Sequence, residues 1–151
     1  DDILPGKYLD RPNDEVGPFA MAGLDETFGA RVSPGDIVVA GPNFGMGSGR
    51  ESAPMALKLS RVAAVVAPSF SRLFYRAAIN LGLPAILVDD VEGIACGDHL
   101  TLDTTTRTVL HTETGAVRPI RNLSGISLAI LEAGGIVPYT RARIARRQGA
   151  P

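Results

Sequence analysis

One nine-residue stretch concentrates the chemistry of this chain: Asn43-Phe44-Gly45-Met46-Gly47-Ser48-Gly49-Arg50-Glu51. Glycines at 45, 47 and 49 allow positive φ and let backbone N–H groups approach a ligand closely. The stretch follows an apolar run, Ile37-Val38-Val39-Ala40, and leads into a helical pattern over 51–59. It therefore opens a helix, where unpaired amides and the helix dipole favour an anion. Arg50 adds a permanently charged fork that pairs bidentately with a carboxylate or phosphate. Ser48 then sits beside the anion, with amides and a guanidinium able to stabilise its alkoxide. Three familiar loops are excluded. A P-loop needs Gly-Lys-Ser/Thr, and a dinucleotide fingerprint needs a glycine where Arg50 stands and an acid about 20 residues later. A nucleophile elbow needs glycine two places either side of Ser48, where Met46 and Arg50 stand. A tight turn carrying a solvated arginine fits the same residues, so the spacing alone leaves both readings open.

The elements that must position this loop are legible around it. Ser33-Pro34-Gly35-Asp36 is a turn signal, and the run 37–40 reads as a buried strand. After the helix over 51–59, with Ala53, Ala56, Leu57 and Ser60 at helical spacing, Val62–Ala67 reads as a second strand stopped by Pro68. Ser69 is the expected N-cap of a helix to about Leu81, with Phe70, Leu73, Phe74 and Ala77 on one face and Gly82 as its C-cap. Ala85–Val88 is a third strand. Short apolar strands joined by helices imply a parallel sheet with right-handed crossovers.

Beyond Asp89-Asp90 the texture changes to threonine-rich alternation, with strands expected at 100–103, 108–111 and 117–120. Two helices, about 124–133 and 139–147, close the chain around the Gly134-Gly135 break and Pro138. The first 31 residues read as loop with one short helix. The expected fold is a mixed α/β domain of β/β/α character with a central, largely parallel sheet.

Composition bounds what this framework can do. At 151 residues, 45% of them apolar, the chain reads as one globular domain over 1–151. A chain of this size buries about 70% of its unfolded surface, enough for a core without disulfides or a structural metal. Sixteen acids and 15 bases give a net charge of -1, which argues against nucleic acid or a lipid surface as partner. The local exception is the basic tail from Arg141 to Arg147, expected to compensate a helix C-terminus. No apolar stretch is long enough to span a bilayer and no secretory signal stands at the start, so a cytoplasmic setting is expected. Cys96 is the sole cysteine, so this chain cannot supply the thiolates of an iron–sulfur cluster. With His99 and His111 the only imidazoles, no metal site is assigned. Cys96 is expected to be a small buried thiol, the histidines to be surface or core residues, and Arg72 and Arg76 to lie on a solvated helix face.

The loop motif Asn-Phe-Gly-x-Gly-Ser-x-Arg-Glu is followed by Ala53-Pro-x-Ala-Leu, Ala67-Pro-Ser-Phe-Ser-Arg-Leu-Phe-Tyr-Arg and Asn80-Leu-Gly-Leu-Pro. Together with Asp2-Ile-Leu-Pro-Gly-Lys-Tyr-Leu and Leu131-Glu-Ala-Gly-Gly-Ile-Val, these segments resemble the small subunit of the 3-isopropylmalate dehydratase family, related to the swivelling domain of aconitase. The resemblance covers most of the chain. It implies the swivelling β/β/α fold and a hydro-lyase of leucine biosynthesis, active as a heterodimer with a large subunit that carries a [4Fe-4S] cluster. In such enzymes the open iron acts on the leaving hydroxyl of a malate-type di- or tricarboxylate, and a deprotonated serine removes the proton from the neighbouring carbon. No cofactor is then expected in this chain.

Carried over residue by residue, the resemblance makes Ser48 the base and Arg50 the group that binds substrate carboxylate and stabilises the alkoxide, with Gly47 and Gly49 lending backbone amides. Arg11 falls in the loop that in this family recognises the variable end of the substrate; a guanidinium there suits a carboxylate or polar group, and an exposed arginine paired with Asp10 or Asp14 is the plainer alternative. Two departures stand out. Met46 replaces a residue that is usually cysteine, and Gly49 replaces the second serine of the usual Ser-Ser-Arg. They keep open a homoaconitase-like or dialkylmalate-type dehydratase, and a carboxylate-binding paralogue without catalysis.

Overall fold

The computed structural model describes residues 2–47 and 49–149. Three 3-10 turns (Gly6–Tyr8, Asn13–Glu15, Gly17–Phe19) and a one-turn helix α1 (Phe28–Arg31) precede strand β1 (Ile37–Val39). Helix α2 (Ser52–Leu59), strand β2 (Ala64–Ala67), helix α3 (Arg72–Leu81) and strand β3 (Ala85–Leu87) follow. Strands β4 (Leu100–Asp103), β5 (Thr108–His111) and β6 (Ala116–Pro119) lead to helices α4 (Gly125–Glu132) and α5 (Ile136–Gln148).

β2 is apolar and buried at every position because both of its faces are covered. It is the middle strand of a parallel sheet in the order β1-β2-β3, with Val65 opposite Val38 and Ala85. Side chains alternate across this sheet. Val65 packs with Leu57, Phe74, Ala78 and the N-terminal Ile3, Leu4 and Met21, whereas Ala64 and Val66 pack with Val109, Ile120 and Leu123 on the opposite face. The second face is roofed by the antiparallel sheet β4-β5-β6. The expected parallel core, with helices joining its strands, and the separate threonine-rich β layer are thus present.

The boundaries carry the corrections. Helix α3 is capped by Ser71, whose Oγ accepts from the Phe74 N–H at 3.3 Å, and not by Ser69. Ser69 Oγ instead accepts from the Asn43 N–H at 2.7 Å, so the nearer serine is taken by the glycine loop. Leu73 points away from the core and is 57% exposed, whereas Ala78 joins Phe74 and Ala77 on the buried face. α5 begins at Ile136 with Pro138 inside its first turn, where a missing N–H costs nothing. Residues 2–31 form a wound segment tied down by Met21 N–H to Ile3 O (2.7 Å) and Gly23 N–H to Asp2 O (3.0 Å).

The two sheets are joined by polar contacts. Asn122 Nδ2 donates to Ala85 O (2.7 Å) and Tyr75 Oη (3.1 Å), and its Oδ1 accepts from Leu87 N–H (2.9 Å). Arg121 forks onto Asp89 at 2.9 and 2.7 Å, and this guanidinium holds the Asp89 carboxyl below its ordinary range. Cys96 is exposed, contrary to expectation: Ile94-Ala95-Cys96 lies in a turn between Gly93 and Gly97, outside any strand.

Candidate active site

The glycine loop is fastened at one end to the start of α3. Phe44 and Phe70 form an isolated parallel bridge, in which Phe44 N–H donates to Ser69 O (3.1 Å) and Ser71 N–H to Phe44 O (2.9 Å). Ser71 Oγ also donates to Gly45 O at 2.8 Å, so one hydroxyl caps the helix and pins the loop. The Phe44 ring stands edge-on to Phe74, with centroids 5.2 Å apart. Gly45 has φ +79°, and a Cβ there would lie 2.2 Å from Phe74 Cγ. Gly49 has φ +72°, and its Cβ would lie 2.3 Å from Leu73 Cδ1. Glycine is therefore demanded at Gly45 by backbone and neighbour alike, and at Gly49 by the backbone, since Leu73 is exposed and its far end can rotate away.

The loop forms one wall of a cavity of about 390 Å³. Arg50, Gly47, Gly49, Ser52 and Ala53 line that wall, and Ile3, Leu4, Leu9, Met21 and Leu24 supply an alkyl wall. Arg50 is exposed and pairs with no carboxylate among the described residues. The N–H groups of Gly47, Gly49 and Arg50 likewise find no acceptor there. α2 starts without a side-chain cap, and Pro54 in its first turn has no N–H to offer, so the donors at this end converge from the loop and from 52–53. Ser52 Oγ is buried and has no hydrogen-bond partner among the described residues. The arrangement is a cationic, amide-rich edge facing hydrocarbon, suited to an acid with an alkyl substituent. At the rim, Met46 and Leu24 are 76% and 68% exposed.

Of the expected site residues, Arg50, Gly47 and Gly49 come together on this cavity. Ser48 lies outside the described residues. Arg11 does not line the cavity: its guanidinium sits over the Phe19 ring, 4.6 Å from the centroid, and Leu9 of the same loop faces the cavity instead. Arg72 and Arg76 are on the exposed face of α3. Ser52 escaped the sequence reading, because a serine in a helical first turn carries no signal of an unpaired hydroxyl; Ser71 escaped it because Ser69 offers an equally good cap.

Comparison with known proteins adds an independent line. A family model described as the aconitase C-terminal domain matches residues 7–90. The isopropylmalate/citramalate isomerase small subunit of Methanocaldococcus jannaschii is 43% identical over 151 residues, covering 98% of this chain and 89% of that one. The 3-isopropylmalate dehydratase small subunit 2 of Archaeoglobus fulgidus is 42% identical, covering 93% and 86%. A crystal structure of 3-isopropylmalate dehydratase from Methanocaldococcus jannaschii superposes with a TM-score of 0.90 at 39% identity, covering 99% of this chain and 90% of that chain.

Proposed function

The chain belongs to the aconitase C-terminal domain family, among the 3-isopropylmalate dehydratase small subunits, and from that premise we propose that it is the small subunit of a hydro-lyase that dehydrates and isomerises an alkyl-substituted malate together with a large subunit. The observation that carries this reading is the unpaired Arg50 on an amide-rich loop, facing the alkyl wall of Ile3, Leu4, Leu9, Met21 and Leu24 across one cavity.

Each part has a role. Arg50 and the amides of Gly47 and Gly49 bind a substrate carboxylate. Ser48 is assigned the proton transfer. An ordinary serine hydroxyl is a poor base, so its alkoxide depends on the neighbouring guanidinium and amides. The alkoxide takes the proton from the carbon adjacent to the one that bears the hydroxyl, and the hydroxyl departs as water; adding a proton to the carbon that lost the hydroxyl, and the hydroxyl of a water to the carbon that lost the proton, completes the isomerisation.

The residues here do not fit an iron–sulfur cluster, since the single thiol is exposed on the β4 side, away from the cavity lining. We therefore assign the [4Fe-4S] cluster to the large subunit, and no step above passes through it. The alkyl wall favours a 2- or 3-alkylmalate. A homoaconitase-like tricarboxylate substrate would require Arg11 to leave the Phe19 ring and turn into the cavity. The two departures in the loop do not argue for lost catalysis: Gly49 is favoured by its φ of +72°, and Met46 stands at the exposed rim.

The test is turnover of the complex reconstituted with a cluster-bearing large subunit. Ser48→Ala is expected to abolish dehydration while substrate binding persists, and Arg50→Lys to raise KM. Full turnover by the Ser48→Ala complex would overturn the assignment. Preference for a tricarboxylate over 2- and 3-alkylmalates would overturn the substrate class alone.

A further inference from the structure

A second group of polar side chains lies outside this cavity, on the antiparallel sheet. His111 ends β5 and is 2% exposed. Its Nε2 lies 2.8 Å from Asp98 Oδ2 and 3.6 Å from Glu113 Oε2. The pairing of Leu100 with His111 brings Asp98, just before β4, beside Glu113, just after β5. One donor atom from each of the three residues falls within 4.8 Å of the others.

These spacings are close to those of a tetrahedral metal site. Nitrogen and oxygen ligands about 2.0–2.2 Å from a zinc-type ion stand roughly 3.3–3.5 Å from one another. The 2.8 and 3.6 Å separations straddle that value, and the third, between Asp98 and Glu113, is no more than 4.8 Å. The donors are also oriented from behind. Thr114 Oγ1 lies 3.0 Å from His111 Nδ1, and His99 Nδ1 lies 2.7 Å from Glu113 Oε1. The His99 N–H reaches both Glu113 oxygens at 3.0 Å, and the Ala95 N–H donates to Asp98 Oδ2 at 2.8 Å. Such outer contacts fix the ring orientation and basicity of metal ligands.

We propose that Asp98, His111 and Glu113 form a binding site for a zinc-type divalent cation, with a fourth position open to water. Two carboxylates balance the ion's charge, and the buried imidazole favours a transition-type cation over magnesium or calcium. A count of imidazoles and thiols misses this site because two of its three donors are carboxylates. Without metal, the Nε2–H donates to Asp98. On binding, Nε2 lends its lone pair to the cation and the ring proton resides on Nδ1, where Thr114 Oγ1 accepts it. The ion then ties the lead-in to β4, the end of β5 and the following turn together.

The experiment titrates the chelator-treated full chain with Zn2+, and in parallel with Co2+, following heat, ligand-field absorption and the His111 ring nitrogens by NMR. The expected result is one ion per chain, tetrahedral Co2+ bands and a shift at Nε2 marking it as the bound atom. Glu113→Gln and Asp98→Asn each lower affinity at least ~10-fold, the scale already seen for outer contacts of metal sites. These two residues are more exposed than His111, so they test the site without hollowing the core. Cys96→Ser leaves affinity unchanged. The proposal is overturned if Zn2+ binds no better than it does to Glu113→Gln, if both carboxylate variants bind normally, or if Cys96→Ser removes binding.

Discussion

Replacing Gly45 by alanine tests whether the loop is held by its packing on α3. Two costs add. The residue has φ +79°, and an L side chain in left-handed backbone costs about 1–2 kcal/mol. The added methyl would also lie 2.2 Å from Cγ and 2.4 Å from Cβ of Phe74. Phe74 is 3% exposed and packed edge-on against Phe44, so it cannot swing aside; overpacking of this kind costs about 1–3 kcal/mol. Together these give about 2–5 kcal/mol, a large part of a total that for most domains is about 5–15 kcal/mol.

Gly49→Ala supplies the comparison. Its φ of +72° carries the same backbone cost, but its methyl meets Leu73 Cδ1, the far end of an exposed side chain that can rotate. About 1–2 kcal/mol is expected, and adding Leu73→Ala should recover little of it. Urea unfolding of both variants, analysed for midpoint at constant m, measures the difference. In the reconstituted complex, Gly45→Ala should also raise KM, since displacing the loop moves the amides and Arg50 together. If Gly45→Ala costs no more than Gly49→Ala, or if KM stays at the wild-type value, the loop is not braced by Phe74 and the account of the site is wrong.

Three further outcomes follow from specific contacts. Ser52→Ala should leave folding stability unchanged or slightly raised, because it removes a buried hydroxyl with no partner among the described residues; a loss of stability by urea titration would contradict this. Asn122→Ala strips the partners from Ala85 O and Leu87 N–H and should cost about 2–4 kcal/mol, whereas Tyr75→Phe should cost about 1 kcal/mol or less, both read from unfolding midpoints. The Asp89 carboxyl, held by Arg121, should titrate below its ordinary value of 3.8. Because its folded-state pKa is depressed, the contribution of this pair is present above pH 3.8 and is lost as pH falls through the folded-state midpoint. NMR titration of Asp89 in wild type and Arg121→Gln should show the midpoint return towards 3.8 in the variant.

How much of this was legible in the sequence depended on how local the cause was. Ala64-Val65-Val66-Ala67 declares a central strand because burial on both faces leaves no room for alternation. The capping glycine of α3 is equally local, and Gly82 stands where it was expected. The choice between Ser69 and Ser71 is not local: both suit an N-cap, and the Asn43 N–H, 26 residues away, takes one of them. The N-terminal segment has no periodicity of its own and is shaped by bonds such as Met21 to Ile3 and by its packing on Leu57 and Phe74.

The same distinction divides the site. Gly45, Gly49 and Arg50 act through backbone freedom and fixed charge, properties that the residue types carry with them wherever the loop goes. Arg11 differs, because the direction of a long side chain on a loop is set by its neighbours, and here its guanidinium lies over the Phe19 ring. The ring competes well: a guanidinium stacked on an aromatic face gains about 0.5–1 kcal/mol at an exposed site, more than a surface ion pair with Asp10 or Asp14 commonly yields. Leu9, two residues earlier, turns the opposite way and becomes part of the alkyl wall. Under the proposed function, Leu9 and not Arg11 is the side chain of this loop that meets the substrate. Leu9→Arg, which moves the charge to the inward position, should weaken alkylmalate binding in the reconstituted complex, whereas Arg11→Ala should leave it nearly unchanged; the opposite pair of results would place Arg11 in the cavity.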